Sequence, residues 1–515
     1  MGNMVRPMQR MAVIDMGSNS FRLVVFEYES TGWWSLVDEI REPTRVSAGM
    51  GESGALQPKP MKRAVQTAIV FANFLRASGV EQVEAVATSA IRDASNRDEL
   101  LAQITDRTGL EVRVISGAEE AWYGYLAIAN STTIGDGFGI DIGGGSVQIM
   151  QLHGRRLRET ESVRLGAVRV SEEFLPDEDA TAKQIKALRK HVARTLSEFE
   201  WWDGGDQARL AGLGGTIRNL AAAAQKRLEV TDLDVQGFVL TREALGELID
   251  ELAARPAAKR GSVRGIKPDR GDVILGGAVV LDAAMEQGGF DGIEVTEAGL
   301  REGVLFERML ADQEPPLLDD VRRASVENLQ HRYHGDHAHV QHVAKLSLEM
   351  FDALGHAGLH DLGGYEREVL WAACMLHDIG VSIDYDDHHR HSHYLILNSS
   401  LPGWSPRELE LVALVARWHR KGDPDPGRLG ALERKGDAKR LRLLCGVIRM
   451  AEQLERSRDR SVASVTLERD KSAVRLVATA NGSGTDPSVA VWAAQRGSDL
   501  LAEAIGEEVE VVLGD

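Results

Sequence analysis

Three acidic side chains set among glycines and hydroxyls offer the clearest chemistry in this chain. In Ile140-Asp141-Ile142-Gly143-Gly144-Gly145-Ser146 an acid ends an apolar run and is followed by three glycines and a hydroxyl. That order puts a carboxylate able to hold a metal beside backbone N–H groups that can approach a phosphate closely. A Gly-rich turn alone equally fits a hairpin that only needs positive φ. The frame recurs 126 residues earlier, however, as Ile14-Asp15-Met16-Gly17-Ser18-Asn19-Ser20, with Ser20 matching Ser146. Two strand-turn-strand units with an acid at the same place suggest two half-sites facing one cleft. A further pair, Glu119-Glu120, falls in the first turn of a predicted helix. Acids there complement the helix dipole, and in the same half as Asp15 they can also converge on the cleft.

Strands must end where these acids stand. MAVIDMGSNSFRLVVFEYES reads as two strands joined by a polar turn, WWSLVDEIREPTRVS supplies a third, and Pro58 to Ser78 has helical apolar spacing. EQVEAVATSAIRDA runs from a strand into a loop or helix start, with Thr88, Ser89 and Arg92 at the junction. LEVRVISGAEEAWYGYLAIA is a strand, Ser116-Gly117, then a helix beginning near Ala118. Such junctions favour anions through orphan N–H groups and the helix dipole. The second half opens at the Asp141 turn and continues as a strand pair to about Val170. Its Gly212 to Thr216 turn, in ARLAGLGGTIRNLAAAA, fits a phosphate cradle or a close strand-helix packing turn. GDVILGGAVVLDAAMEQ and IEVTEAGLREGVLFERML then give a helix, a strand and a last helix, with Glu297, Ala298, Gly299 and Arg301 at the final junction.

At 515 residues the chain is long for a single core, so three or four domains are expected. It has 43% apolar and 27% charged residues and no apolar run of the roughly 18 residues a membrane span needs, so no membrane partner is expected. The opening MGNMVRPMQRMAVIDMG does not read as a signal peptide. Cys374 and Cys445, each in an apolar stretch, fit buried thiols in a reducing compartment, and a cytoplasmic location is expected. A net charge of −18 argues against nucleic acid as a general partner, because non-specific affinity comes from a basic surface releasing counterions. A polyanion would have to be met locally. One candidate is the set Arg255, Lys259, Arg260, Arg264, Lys267 and Arg270, opposed by Asp269 alone; the other is Lys183, Lys186, Arg189, Lys190 and Arg194, spaced for one helix face. Either set also fits a solvated surface.

Asp312 to Asp320, with Pro315-Pro316, breaks the composition and marks a domain boundary. From Val321 to about Ser457 the apolar spacing is mostly helical, and thirteen of the 15 histidines fall there. His339 starts one apparent helix, His377-Asp378 closes another, and His393 and His419 lie on two more. An adjacent His-Asp pair at a helix end can reach one metal together, with neighbouring helices completing the shell. The run Asp387-His388-His389-Arg390-His391 reads as solvated loop. After Arg460, VASVTLER, AVRLVAT and VEVVL around a short helix make a small α/β tail with no chemistry of its own.

Taken together, IDMGSNSFRLVV, VATSAIRDA, VISGAEEA, DIGGGS, GLGGT and TEAGLREGVL, in order across residues 12–310, resemble the exopolyphosphatase/guanosine pentaphosphate phosphohydrolase (Ppx/GppA) family. The resemblance implies an α/β, actin-like fold of two ribonuclease-H-like halves, 1–130 and 131–312. An all-α HD-type domain over 320–460 and a small α/β domain over 461–515 would follow. It implies magnesium-dependent hydrolysis of terminal phosphoanhydride bonds and, for the helical domain, a homodimer. By position, Glu120 matches the catalytic glutamate that activates water, and Asp141 the acid near the metal. Asp15, Ser18, Asn19, Arg92, Gly144, Gly145, Ser146, Gly214 and Thr216 fall in the phosphate-facing loops. His339, His377 and Asp378 match three HD ligands, Glu452 stands where the last is normally Asp, and His393 and His419 are placed for a second metal. Where the family continues Ser-Thr-Glu, this chain has Ser146-Val147-Gln148, an amide in place of a carboxylate that helps hold the metal.

The expected activity is an exopolyphosphatase acting on inorganic polyphosphate, with guanosine pentaphosphate as a further substrate. Phosphoryl transfer is mostly positioning and charge neutralisation, which such loops, an arginine and a metal supply. A metal-dependent phosphohydrolase at the HD-type site is a second reading. A polyphosphate- or nucleotide-binding regulator, weakened in catalysis by Gln148, is a third.

Overall fold

Asp15 and Asp141 stand at corresponding points of two sheets with the same plan. The computed structural model describes residues 8–514 apart from 31, 52–53, 206–207, 231–232, 428, 470–472 and 483–484. The signal-peptide reading thus falls partly on residues 1–7, outside those described. The chain forms two compact units, Met1–Leu228 with Val235–Val321, and Glu229–Asp234 with Arg322–Asp515. Among the described residues no helix is long and apolar enough to cross a membrane.

The first sheet contains β1 (Gln9–Met16), β2 (Phe21–Glu29), β3 (Trp33–Glu42), β4 (Gln82–Ala87) and β5 (Val112–Val114) in the order β3-β2-β1-β4-β5. β1 to β3 form an antiparallel meander, and β4 and β5 extend it in parallel from β1. The second sheet contains β6 (Gly137–Ile142), β7 (Val147–His153), β8 (Arg156–Val163), β9 (Leu210–Leu213), β10 (Val239–Thr241) and β11 (Gly292–Val295). Read from its far edge it runs β8-β7-β6-β9-β11-β10, the same antiparallel meander followed by parallel strands, with β10 added antiparallel at the end. Two such sheets joined in one unit make the actin-like, doubled ribonuclease-H-like fold. Met11 to Ile14 are all buried, as a central strand covered on both faces requires.

The duplication extends to register. Asp15 pairs with Arg22 across β1 and β2, and Asp141 pairs with Gln148 across β6 and β7. In each hairpin the acid is the last residue but one of the first strand, and the turn, 17–20 or 143–146, carries the glycines and hydroxyls.

The second unit begins with helices Val321–Arg332, His337–His356, Gly364–Leu376, His388–Leu397, Pro406–Trp418 and Asp437–Leu454. Its sheet, β12 (Val462–Arg469), β13 (Ala473–Ala480) and β14 (Glu508–Leu513), is ordered β12-β13-β14. Helices Ser488–Arg496 and Asp499–Ile505 cross between β13 and β14, where the sequence suggests one. Leu444 and Ile448 of the last long helix share one apolar core with Val474, Leu476 and Val511 of the sheet. Cys374 and Cys445 are buried free thiols in this unit, each pushed up to about 12 by burial.

Candidate functional site

Within the first unit, Asp15, Glu120 and Asp141 line one cavity of about 130 Å³ together with Ser18, Asn19, Gly144 and Gly214. Asp15 and Asp141 arrive from the equivalent ends of β1 and β6. Glu120 comes from helix Gly117–Ala129, whose two neighbouring glutamates have separate tasks. Glu119 closes a capping box with Ser116 and pairs with Arg113, whereas Glu120 faces the cavity. Arg92 Nη1 donates to Glu120 Oε2 at 2.9 Å and to Ile115 O at 3.1 Å, so Arg92 reaches the site through the glutamate.

The turns of the two halves meet closely. Ser18 Oγ lies 3.1 Å from Ser89 Oγ, and a Cβ on Gly145 would lie 2.6 Å from Ser89 Oγ. Gly214 adopts φ +92°, and a Cβ there would stand 2.5 Å from Asp141 Oδ1, so both backbone shape and space call for glycine. Gly214 and Gly215 begin helix Gly214–Arg227, which has no side-chain cap. Its first N–H groups are therefore available to an anion in the cavity they line. Ser146 and Thr216 are buried: Ser146 Oγ accepts from Gln148 Nε2 at 2.9 Å, and Thr216 packs against Gly277.

Burial raises all three carboxyl groups. Glu120 moves up to about 7 against the opposing pull of Arg92, with Asp141 and Asp15 adding like charge. Asp141 moves up to about 6 through burial, eased by Arg218 and raised further by Asp15. Asp15 is raised by burial and held back by Arg301 and Arg22. Such a trio suits a divalent cation, which removes the mutual repulsion.

Arg22, Arg218, Arg270 and Arg301 line the same cavity. Arg22 is lowered to about 10 by burial and then by the charges of Arg301 and Arg218. Lys267 and Arg270 are lowered by burial and by neighbours that include Arg41 and Arg218. Sequence reasoning singled out Arg270 and Lys267 as a basic stretch and missed Arg22 and Arg218. The available signal for Arg22 was its place seven residues after Asp15, the offset of Gln148 from Asp141. Arg260, from the same basic stretch, is instead 1% exposed and donates to Leu252 O, a packing role.

In the second unit, His339, His377, Asp378 and Glu452 bring ligand atoms within 4.8 Å of one another, and so do Asp378, His388 and His419. His393 is not in either set and lies 3.9 Å from Glu410 Oε1. The expectation that 387–391 is solvated loop is overturned: His388 and His389 are buried at the start of helix His388–Leu397. His388 lies five residues before His393, so the two point to different faces of this helix, and His388 faces Asp378 at 3.3 Å.

A model of the Ppx/GppA phosphatase family matches residues 24–312, and one of Ppx/GppA phosphatase domain III matches 321–482. The chain is similar to the solved structure of the Ppx/GppA family member from Aquifex aeolicus, at 31% identity and TM-score 0.52 over 60% of this chain and 99% of that one. An exopolyphosphatase from Cytophaga hutchinsonii matches in fold at 24% identity and TM-score 0.54, over 58% of this chain and 98% of that one. With duplicated sheets, paired acids and the family match over more than half its length, the chain belongs to the Ppx/GppA phosphatase family.

Proposed function

We propose that the cleft of the first unit hydrolyses terminal phosphoanhydride bonds of inorganic polyphosphate, and of guanosine pentaphosphate as a shorter substrate. The observation that carries this reading is the crowding of six cations, Arg22, Arg41, Arg218, Lys267, Arg270 and Arg301, in and beside a cavity lined by three carboxylates. Arg22, Arg218, Lys267 and Arg270 are lowered first by burial and then by neighbouring cations, and a run of phosphates supplies the negative charge that favours their charged forms.

Glu120, ionised above about 7, takes a proton from water as the water oxygen bonds to the terminal phosphorus. The bridging P–O bond breaks, and the shortened chain leaves with the electron pair. Arg92 positions Glu120. The N–H groups of Gly144, Gly145 and Gly214-Gly215 donate to phosphate oxygens beside the arginines, while the Gly143 N–H closes the turn on Ser146 O. Magnesium held by Asp15 and Asp141 would supply further charge neutralisation.

Phosphate release from long-chain polyphosphate and guanosine pentaphosphate, for wild type, Glu120→Gln and His377→Ala, tests the reading. Release should be lost in Glu120→Gln and retained in His377→Ala. Release that survives Glu120→Gln, or no release by wild type, would overturn it; bound but unhydrolysed polyphosphate would instead favour a binding regulator. We further read 320–460 as an HD-type domain, on the His377-Asp378 pair and its ligand-spaced neighbours. A homodimer and a cytoplasmic location complete the proposal, to be checked by sedimentation of the full chain and by cell fractionation.

A further inference from the structure

We infer that orthophosphate leaves the cleft by a second opening, through a cavity of about 560 Å³ that backs onto the catalytic one at the tips of the two acidic hairpins. The inference rests on the reading of the cleft as a polyphosphatase and adds the path of its product.

A substrate cut from its end creates the need for such a path. Its terminal phosphate must sit at Glu120, and the rest of the chain then fills the side of the cavity where Arg22, Arg218, Arg270 and Arg301 stand. The orthophosphate formed there lies behind the shortened chain. With a single opening, that chain would have to leave before each phosphate could follow.

The wall between the two cavities is thin. Ser18 and Gly144 belong to both linings, and Ser89 of the small cavity is followed by Ala90 of the large one. Ser18 Oγ and Ser89 Oγ meet at 3.1 Å, and opposite them stand two glycines. A Cβ on Gly144 would lie 2.9 Å from Ser18 Cβ, and one on Gly145 2.6 Å from Ser89 Oγ. The closure is therefore made by hydroxymethyl groups, which swing about one torsion. Once they no longer bond to each other, both hydroxyls can donate to a passing phosphate.

Beyond the wall the surroundings also suit an anion. Carbonyls that would repel it are already engaged: Gly143 O accepts from Ala167 N and Gly144 O from Val168 N, both at 2.9 Å, and Gly145 O accepts from Arg169 Nε at 3.0 Å. On the other hairpin, Ser18 O accepts from Ser47 Oγ at 3.3 Å. Arg169 Nη2 donates to Asp93 Oδ2 at 3.0 Å, and Arg164 Nη2 lies 3.6 Å from the same oxygen. Phosphate oxygens can take the place of Asp93 on either guanidinium. The Arg164 side chain is 72% exposed, so this lining reaches solvent. Glu172 and Glu173 share it, and their like charge keeps the anion from being held tightly.

The test uses the full chain, long-chain polyphosphate as substrate and inorganic phosphate as added product. Through a second opening, phosphate reaches an enzyme whose entrance still holds a chain, so its inhibition should be noncompetitive against polyphosphate. Arg164→Glu reverses a charge on the exit path, and Val168→Phe fills the cavity beside Gly144. Far-ultraviolet circular dichroism should match wild type for Arg164→Glu, an exposed position. Quenched flow counts phosphate formed, and the first turnover should be unchanged in both variants. Stopped flow with a fluorescent phosphate-binding protein counts phosphate freed, and this should slow about fivefold or more as release becomes limiting. Competitive inhibition, with phosphate freed as fast as it is formed in both variants, would overturn the second exit and leave the reading of the cleft standing. No phosphate formed by wild type would overturn both.

Discussion

Arg92 and Glu120 form an ion pair with Nη1 and Oε2 at 2.9 Å, and the same nitrogen is anchored to Ile115 O. The glutamate is thus aimed from behind while its carboxylate lines the cavity. Removing it should lower kcat by roughly 10²- to 10⁴-fold, the range for a positioned acid-base group. Arg92→Ala should cost less, about tenfold to a hundredfold in kcat with KM nearly unchanged, because it disorders the base without removing it. Steady-state kinetics on polyphosphate would show this; a loss confined to KM would mean that Arg92 contacts substrate.

The pH profile follows from the same pair. Burial sets Glu120 at about 7, and Arg92 opposes the rise. Activity of wild type should therefore climb about tenfold per unit at low pH and level off above about 7, the base form being the active one. In Arg92→Ala the opposing charge is gone, so the midpoint should move upward. A downward or absent shift in log(kcat/KM) against pH would contradict the assignment.

The acids also link stability to metal. Glu120 and Asp141 are raised to about 7 and about 6, above the unfolded values of 4.5 and 3.8. The folded state thus binds protons more tightly. Their contribution is fully present below the unfolded values and lost as pH rises through about 6 to 7. Magnesium, bound to the ionised forms, should restore stability mainly on the alkaline side. At a hundredfold excess over Kd the gain is about 2.7 kcal/mol. Melting temperatures of the full chain with magnesium or chelator should differ more at pH 8 than at pH 5.5; equal differences would argue against these carboxylates as ligands.

Asp15, Asp141 and Glu120 were legible because their signals are local: a strand-ending acid, a glycine turn, and a helix start marked by Ser116. The repeat of Ile-Asp-x-Gly also foretold the doubled sheet, since the same short pattern demands the same hairpin. Arg218 was not legible. It lies one turn into helix Gly214–Arg227, and its Nη1 donates to Glu297 O at 2.8 Å, a contact made by tertiary packing. His388 was masked by its neighbours, because a run of histidines does not reveal where a helix begins or which face meets Asp378. Thr216 matched the motif yet points into helix packing, because the glycine turn is itself the first turn of the helix.

Gly214→Ala isolates the geometry of the cleft from its charge. The substitution forces a Cβ to within 2.5 Å of Asp141 Oδ1 at φ +92°. A destabilisation of about 1–3 kcal/mol is expected from the strained backbone. Displacing Asp141 should also raise the magnesium concentration for half-maximal activity. Denaturant unfolding and magnesium titration would measure the two effects, and a variant with unchanged metal demand would show that Gly214 serves only the turn.

Gln148→Glu tests the departure from the family pattern. Gln148 is opposite Asp141 in register, and its Nε2 donates to Ser146 Oγ at 2.9 Å and Ser162 Oγ at 3.1 Å. Its Oε1 is buried without a hydrogen-bond partner among the described residues. A carboxylate of the same size fits, because both hydroxyls can turn to donate. It would add negative charge beside Asp141 and so cost stability at high pH without metal. With magnesium the added charge should be favourable, and the concentration for half-maximal activity should fall several-fold. If magnesium demand stayed the same while the metal-free protein lost stability, Gln148 would be a packing residue that tethers the glycine turn, and the cleft would hold its ion without help from this strand.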